Sequence, residues 1–175
     1  MTTILVGVYW GVRAELLERA AARLHDHFGA LSSTSEHLTH WYLRASRKPK
    51  IPTPVDTASA DALATLLAQG VNRRDTDKTV IAELGWGIGL WNGSSGPIEA
   101  STSILCNCTS PRVTNSALVE VSADGIEPLS VQRAEELLKR LVDIWEPDEG
   151  IVSRSIWLAV EGRQEETELA RWKAQ

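Results

Sequence analysis

The residue pairs of this chain that are spaced for chemistry are two cysteines and two histidines. Cys106 and Cys108 are separated by one residue, and His37 and His40 lie three apart on a predicted helix. A closed zinc site needs four ligands, and neither pair has further cysteines or histidines at metal-ligand spacing. Cys106 and Cys108 also lie at the limit of disulfide geometry, so we interpret them as reduced thiols. The sequence therefore predicts no metal and no cofactor.

Acidic and glycine-containing motifs of known catalytic sites are incomplete in this chain. Asp75 and Asp77 resemble the start of a calcium loop, but the required later glycine and glutamate are missing. Asp148 and Glu149 are not followed by the lysine expected in an endonuclease metal site. The Gly-x-Gly of residues 87–89 lacks the third glycine of a dinucleotide-binding loop. We therefore predict a protein that is not an enzyme, and a small metal-dependent hydrolase or nuclease with an unrecognised active site is the alternative.

The charge of the chain is unevenly distributed. The net charge is −5, and residues 79–175 hold fifteen Asp and Glu against eight Lys and Arg, whereas residues 1–78 hold eight against ten. Because phosphate contacts dominate the binding of nucleic acids, the acidic half argues against direct nucleic-acid binding. It favours a basic protein partner. An acidic surface that only maintains solubility is the alternative.

The amino terminus carries no signal for export or membrane insertion. It lacks a basic region followed by a cleavage site, and the apolar run Ile4–Val8 is far too short to cross a bilayer. We therefore expect a cytoplasmic protein that does not bind a membrane.

The segment Trp86–Gly93 combines two tryptophans and three glycines in eight residues. Its apolar residues alternate with glycines, which is typical of a strand with one apolar face and one face that admits a close approach. Asn92 and Gly93 then supply a turn. We predict a buried central strand that ends at an exposed corner, where Trp91 and Asn92 are available to a partner.

Helical periodicity predicts four helices before the C-terminal tail. The first runs from Arg13 to Phe28 and is expected to end at Gly29. A capping box formed by Ser33 and Glu36 predicts a second, shorter helix. The other two predicted helices are Ser59–Gln69 and Val131–Trp145.

Alternating apolar residues predict about five strands. Thr3–Trp10 is apolar on both faces and is expected at the centre of the sheet. The element order indicates a single α+β domain over residues 1–175, with helices packed on a largely antiparallel sheet. The basic segment Arg44–Lys50 is predicted to be a loop, and residues 161–175 to be a tail with a short helix. The predicted strands are Thr3–Trp10, Trp86–Gly93, Ser101–Cys108, Ser116–Val121 and Ile151–Val160.

Five short motifs follow one another along the chain. They are Tyr9-Trp10-Gly11-Val12-Arg13-x-Glu15; Asn72-Arg73-Arg74-Asp75 before Val80-Ile81-x-Glu83-Leu84-Gly85; Leu90-Trp91-Asn92-Gly93; Pro111-Arg112-Val113-x-Asn115; and Trp145-Glu146-Pro147-Asp148. In this order, from about Thr3 to Trp157, the chain resembles the immunity protein 52 family of bacterial polymorphic toxin systems. It departs from the family pattern at Leu43–Arg47, where a lysine-glycine-serine-arginine run is expected.

The resemblance implies a non-enzymatic antitoxin that protects the producing cell by binding a toxin. Such proteins are typically encoded beside a toxin with a restriction-endonuclease-like nuclease domain, often in contact-dependent or type VI secretion systems. The acidic half of the chain agrees with this partner, because a nuclease site that holds phosphates is basic. An adaptor for another basic protein is a further alternative, and the oligomeric state is left open.

Acidic residues near the end of the last predicted helix are hypothesised to contact the toxin, with Trp91 or Trp145 as an aromatic anchor. Trp145 is also the last apolar position of its helix, which favours core packing. The hypothesised toxin-binding residues are Asp143, Glu146, Asp148, Glu149, Trp91 and Asn92. The remaining motif residues are expected to be structural: Tyr9, Trp10, Gly11, Arg13, Glu15, Asn72, Arg73, Asp75, Gly85, Gly93 and Asn115.

Overall fold

The computed structural model describes residues 1–44, 52–94, 96–158 and 163–174, which form one seven-stranded sheet and three α-helices. The strands are β1 (Thr2–Trp10), β2 (Tyr42–Leu43), β3 (Trp86–Trp91), β4 (Ile98–Cys106), β5 (Asn115–Ala123), β6 (Glu149–Leu158) and β7 (Arg163–Lys173). The helices are α1 (Leu17–Thr34), α2 (Ala60–Gln69) and α3 (Val131–Trp145). The predicted basic loop Arg44–Lys50 lies outside the described residues after Arg44.

The strands follow the order β2-β3-β4-β5-β1-β6-β7, and all neighbours are antiparallel. This confirms the predicted α+β class with a largely antiparallel sheet. The interior position of β1, between β5 and β6, agrees with its two apolar faces. The predicted number of about five strands is too low, because β2 and β7 escape prediction. β2 has only two residues, too few to show an alternating pattern.

The predicted C-terminal helix is wrong, since residues Arg163–Lys173 form β7, which pairs with β6. Leu169 and Trp172 are three apart, a spacing that fits a helical stripe, and most of the other residues are polar or charged. In the structure β7 contains a β-bulge, and Leu169, Ala170 and Trp172 all pack against the core. β7 is therefore stabilised by its backbone pairing with β6 and by these apolar contacts. It does not show the regular apolar alternation by which a strand can be predicted.

The predicted start of α1 at Arg13 is wrong, since the helix begins at Leu17. Two further predicted boundaries are wrong because α1 continues without a break through Gly29. Ala30 and Leu31, beyond the glycine, are buried. Their packing outweighs the cost of about 1 kcal/mol of a glycine inside a helix. The predicted helix start at Ser33 therefore falls inside the last turn of α1, and Ser35 caps the short 3₁₀ turn that follows.

All three helices enclose a single hydrophobic core against one face of the sheet. α3 packs on β1 and β6, α2 packs on β3, and α1 lies against both other helices. Alternate residues of β1, from Ile4 to Trp10, face this core. The predicted helices α2 and α3 agree with the structure, and the hydroxyls of Ser59 and Ser130 cap their first turns.

The position of β3 differs from the prediction of a central strand. β3 is second from one edge of the sheet, and its outer neighbour β2 pairs only with Leu90 and Trp91. Ile88 and Leu90 are buried on the helix side, as their alternation predicted. The alternation of apolar residues with glycines thus predicts which face of the strand packs on the core. It does not predict whether the strand is central or near the edge of the sheet.

Candidate functional site

Four of the five motifs meet where β1 and α3 end. The indoles of Trp10 and Trp145 stack with their centroids 5.2 Å apart. The guanidinium of Arg13 lies 4.7 Å from the centre of the Trp10 ring and donates to the carbonyl oxygens of Trp145, at 2.7 Å, and Glu146, at 3.3 Å. Burial and the nearby Arg23 lower the pKa of Arg13. These contacts clamp the C-terminus of α3 onto β1 and satisfy its last carbonyls.

A buried ion pair joins α1 to the same end of the sheet. Nε of Arg23 lies 2.8 Å from Oε1 of Glu15, whose side chain is only 3% exposed. Neither atom makes an aligned hydrogen bond, so the attraction is mainly between charges. The Arg23 guanidinium also binds the carbonyl of Ile144 and the carboxylate of Glu146. The bond from Arg23 lowers the pKa of Glu146.

Asn115 and Asp148 fix the chain as it leaves β1. Nδ2 of Asn115 donates to the carbonyls of Gly11, at 2.6 Å, and Cys108, at 3.1 Å, and its Oδ1 accepts the N–H of Cys108 at 2.8 Å. Oδ2 of Asp148 accepts the N–H of Gly11 at 2.7 Å, and the N–H of Asp148 donates to the carbonyl of Tyr9 at 2.8 Å. Both side chains therefore have partners inside the molecule.

The second motif reaches the same end through Gly85. The φ angle of Gly85 is 61°, and a Cβ at this position would overlap the carbonyl oxygen of Cys106. The carbonyl of Glu83 accepts the N–H of Thr109 at 3.0 Å. Nδ2 of Asn72 donates to the carbonyl of Leu84 at 2.9 Å. Arg73 and Asp75 of the same motif are exposed.

Burial favours the neutral form of two titratable groups in the core, His27 and Cys106. Burial lowers the pKa of His27 to about 3 and raises the pKa of Cys106 to about 12. Cys106 and Cys108 are both free thiols, in agreement with the predicted reduced state. The prediction from sequence missed His27. The sequence feature that could have predicted its burial is its position on the apolar stripe of α1, three residues after Leu24.

The face of the sheet opposite the helices, which we call the open face, is lined by no helix among the described residues. On β1 this face carries Leu5, Gly7 and Tyr9, whose neighbours along the strand point into the core. Across the sheet, Leu5 is level with Glu120, and Tyr9 is level with Glu149. Exposed residues of this face extend from Glu99 on β4 to Lys173 on β7, whereas Gly7 and Ser153 in its middle are buried.

The open face is more acidic than the helical layer. The three helices together hold six Asp and Glu against five Lys and Arg. Strand positions on the open face hold five acids against two bases. The pKa of Tyr9 is raised by burial and, in addition, by Coulombic repulsion from Glu149 and Glu166. The acids are Glu99, Glu120, Glu149, Glu166 and Glu168, and the bases are Arg171 and Lys173.

The six hypothesised binding residues do not form one cluster. The carboxylates of Glu146 and Asp148 bind Arg23 and Gly11 within the chain. Asp143 is exposed on α3, on the helix side, where it lines a groove of about 360 Å³ against β7. The open face instead carries Glu149, whose carboxylate lies 3.7 Å from Arg171.

Trp91 lies across the open face from Glu149, and the next residue, Asn92, donates from its amide to the carbonyls of His37 and Ile98, both at 3.3 Å. Trp91 and Glu149 are separated by the width of four strand spacings, roughly 20 Å. Nε1 of Trp91 donates to the carbonyl of Leu43 at 3.3 Å, so the indole is held in place. Gly93 has a φ angle of 66° beside the ring of Tyr42, which agrees with the predicted turn.

Within the described ranges, no three His, Cys, Asp or Glu side chains come close enough to hold a metal ion. No helix in the described part of the chain is long and apolar enough to cross a membrane. Compared with known proteins, the chain matches one family model, described as immunity protein 52, over residues 2–169. The curated proteins contain no match.

Proposed function

This chain belongs to the immunity protein 52 family, and we propose that it binds and neutralises a cognate secreted toxin in the cytoplasm of the cell that produces it. The proposed toxin carries a restriction-endonuclease-like nuclease domain and is delivered by contact-dependent or type VI secretion. Neutralisation requires binding only, so the chain has no turnover of its own and needs no cofactor. It does not contact nucleic acid directly.

The acidic open face is the observation that carries this proposal. A nuclease that holds a phosphate backbone presents a basic groove, and acids that face such a groove provide electrostatic complementarity. Complementary charge accelerates association to as much as about 10⁸ M⁻¹s⁻¹ at low salt. Fast capture matters for an inhibitor whose target acts as soon as it enters the cell.

The contact residues hypothesised from the sequence divide between two surfaces, and the open face is the one that we propose to meet the toxin. Glu149 and Trp91 belong to the open face, whereas Asp143 belongs to the helix side. Asn92 lines the groove beside Trp91, but its amide already donates to the carbonyls of His37 and Ile98. Glu146 and Asp148 lie between the two surfaces, at the end of α3, and their first role is to hold the chain together through Arg23 and Gly11. We propose that any contribution of these two carboxylates to binding is secondary.

Nuclease protection tests the proposed function. The toxin domain encoded by the adjacent gene is purified and incubated with plasmid DNA and RNA, with and without an equimolar amount of this chain. The proposal expects full protection at a 1:1 ratio and no cleavage by the chain alone. Metal-dependent cleavage by this chain itself, or unimpeded cleavage by the toxin, would contradict it.

A further inference from the structure

A shallow groove of about 260 Å³ lies on the open face beside Trp91. Glu99 on β4 and Glu120 on β5 line it together with the indole. The two glutamates occupy diagonal positions on neighbouring strands, because Ser101 pairs with Glu120 and lies two residues after Glu99. Diagonal neighbours are about 7 to 8 Å apart, so one cationic group between them can reach both carboxylates.

Contacts within the chain orient the side chains of the groove, and they do not neutralise the charge of its glutamates. Oγ of Ser101 donates to Oε2 of Glu120 at 3.3 Å, which orients one carboxylate. Among the described residues, Glu99 has no cation within 4 Å. The hydrogen bond from Trp91 to Leu43 fixes the third wall.

These three side chains have the chemistry that receives an arginine. A guanidinium binds carboxylates through charge-assisted hydrogen bonds and stacks on an indole. Arginine and tryptophan are also enriched among the residues that dominate interface energies. Two cationic residues also line the groove: Met1, whose ammonium lies 3.1 Å from the carboxylate of Asp124, and the exposed Arg44. Arg44 partly opposes an incoming arginine.

Resting on the proposed function, we propose that the toxin docks on the open face and inserts an arginine or lysine into the groove formed by Trp91, Glu99 and Glu120. Glu149 lies on the same face roughly 20 Å away. A standard interface buries about 800 Å² on each partner, enough to cover both points. The helix side, where Asp143 lies, stays free in this complex.

The dissociation constant of a set of variants tests this docking. The double variant Glu99→Lys with Glu120→Lys reverses both charges of the groove. A double variant of exposed helix residues, Glu18→Lys with Glu136→Lys, changes the net charge equally on the other side. The probe is the toxin domain encoded by the adjacent gene, inactivated at its own catalytic site, and binding is measured by biolayer interferometry at physiological salt.

The groove variant is expected to weaken binding at least about 100-fold, because closely spaced charge pairs in an interface have large coupling energies. The helix variant is expected to stay within about threefold of the wild type. Trp91→Ala is expected to weaken binding at least tenfold, and Arg44→Ala to tighten it. Thermal unfolding of each variant checks that it is folded.

Two failures have separate meanings. Suppose that the wild type binds the toxin and that the two double variants have equal dissociation constants. The docking proposal is then overturned while the proposed function stands. The same holds if only Asp143→Lys weakens binding. If the folded wild type does not bind the toxin at all, both proposals are overturned.

Discussion

Trp145 donates a hydrogen bond from its indole Nε1 to Nδ1 of His27 at 3.2 Å, and both side chains are fully buried. Because Nδ1 accepts this bond, the proton of the neutral ring lies on Nε2. Nε2 lies 3.1 Å from Oγ1 of Thr102, whose hydroxyl donates to the carbonyl of Leu118 at 2.8 Å. One polar chain thus connects α3, α1, β4 and β5 through the apolar core.

Loss of the imidazole is expected to destabilise the fold strongly. His27→Ala leaves a cavity and an unpaired indole N–H, so the free energy of unfolding should fall by about 3 kcal/mol. His25→Ala, two residues earlier on the exposed side of α1, should change it by less than about 0.5 kcal/mol. Urea unfolding measures both, and equal effects would contradict the assigned role of His27.

The same residue predicts a loss of stability in acid. The folded pKa of His27, about 3, lies below its ordinary value of 6.5, so between these values only the unfolded state binds the proton. Stability is therefore complete above pH 6.5 and falls as the pH is lowered. Between pH 7.5 and pH 4.5 the protonation of His27 in the unfolded state should lower the free energy of unfolding by about 2.5 kcal/mol.

His27→Gln supplies the control for this pH dependence, because an amide can also accept and donate but does not titrate. The difference in stability between wild type and variant should shrink towards low pH. Nitrogen-15 spectra of the wild type should show a neutral His27 ring down to about pH 4. A ring that titrates near pH 6.5 in the folded protein would refute the prediction.

Arg23 and Arg19 offer a matched comparison of a buried and an exposed charge. Both contact the carboxylates of Glu15 and Glu146, but the Arg23 side chain is 9% exposed and that of Arg19 is 65% exposed. Arg23→Met leaves the buried carboxylate of Glu15 without its main partner and should cost about 3 to 5 kcal/mol. Arg19→Met should cost less than about 1 kcal/mol. Similar losses in chemical denaturation would argue against a buried ion pair.

Gly85 and Gly125 both have positive φ angles, 61° and 72°, but differ in their surroundings. A Cβ at Gly85 would overlap the backbone of Cys106, whereas a Cβ at Gly125 would meet nothing within 4 Å. Gly125→Ala should therefore cost only the backbone strain, about 1 to 2 kcal/mol. Gly85→Ala adds a clash with rigid backbone and should prevent folding at 37 °C. Circular dichroism melting curves compare the two, and equal melting temperatures would contradict the packing described.

Periodicity predicted those elements whose burial is regular. α2, α3 and β1 have apolar residues at one spacing throughout, so their positions follow from the sequence. α1 and β7 were misjudged for a shared reason: tertiary packing overrides the local signal. Buried Leu31 carries α1 past a glycine, and pairing with β6 keeps the charged β7 extended.

The candidate site was less predictable because it depends on which strands face which side. Adjacent motif residues such as Glu146, Asp148 and Glu149 look like one acidic cluster in the sequence. The fold gives the first two internal partners and turns the third onto the open face. Glu99 and Glu120 belong to no motif, and only the pairing of β4 with β5 brings them together.

Hydroxyl-radical footprinting of this chain, alone and in complex with the inactivated toxin domain, tests toxin binding through the open face most directly. Side chains of the open face, Trp91 and Tyr9 above all, should lose most of their reactivity in the complex. Exposed Leu16, which immediately precedes α1, serves as an internal reference and should keep its reactivity. Unchanged reactivity of Trp91 and Tyr9, with protection confined to α3 residues around Asp143, would contradict the account.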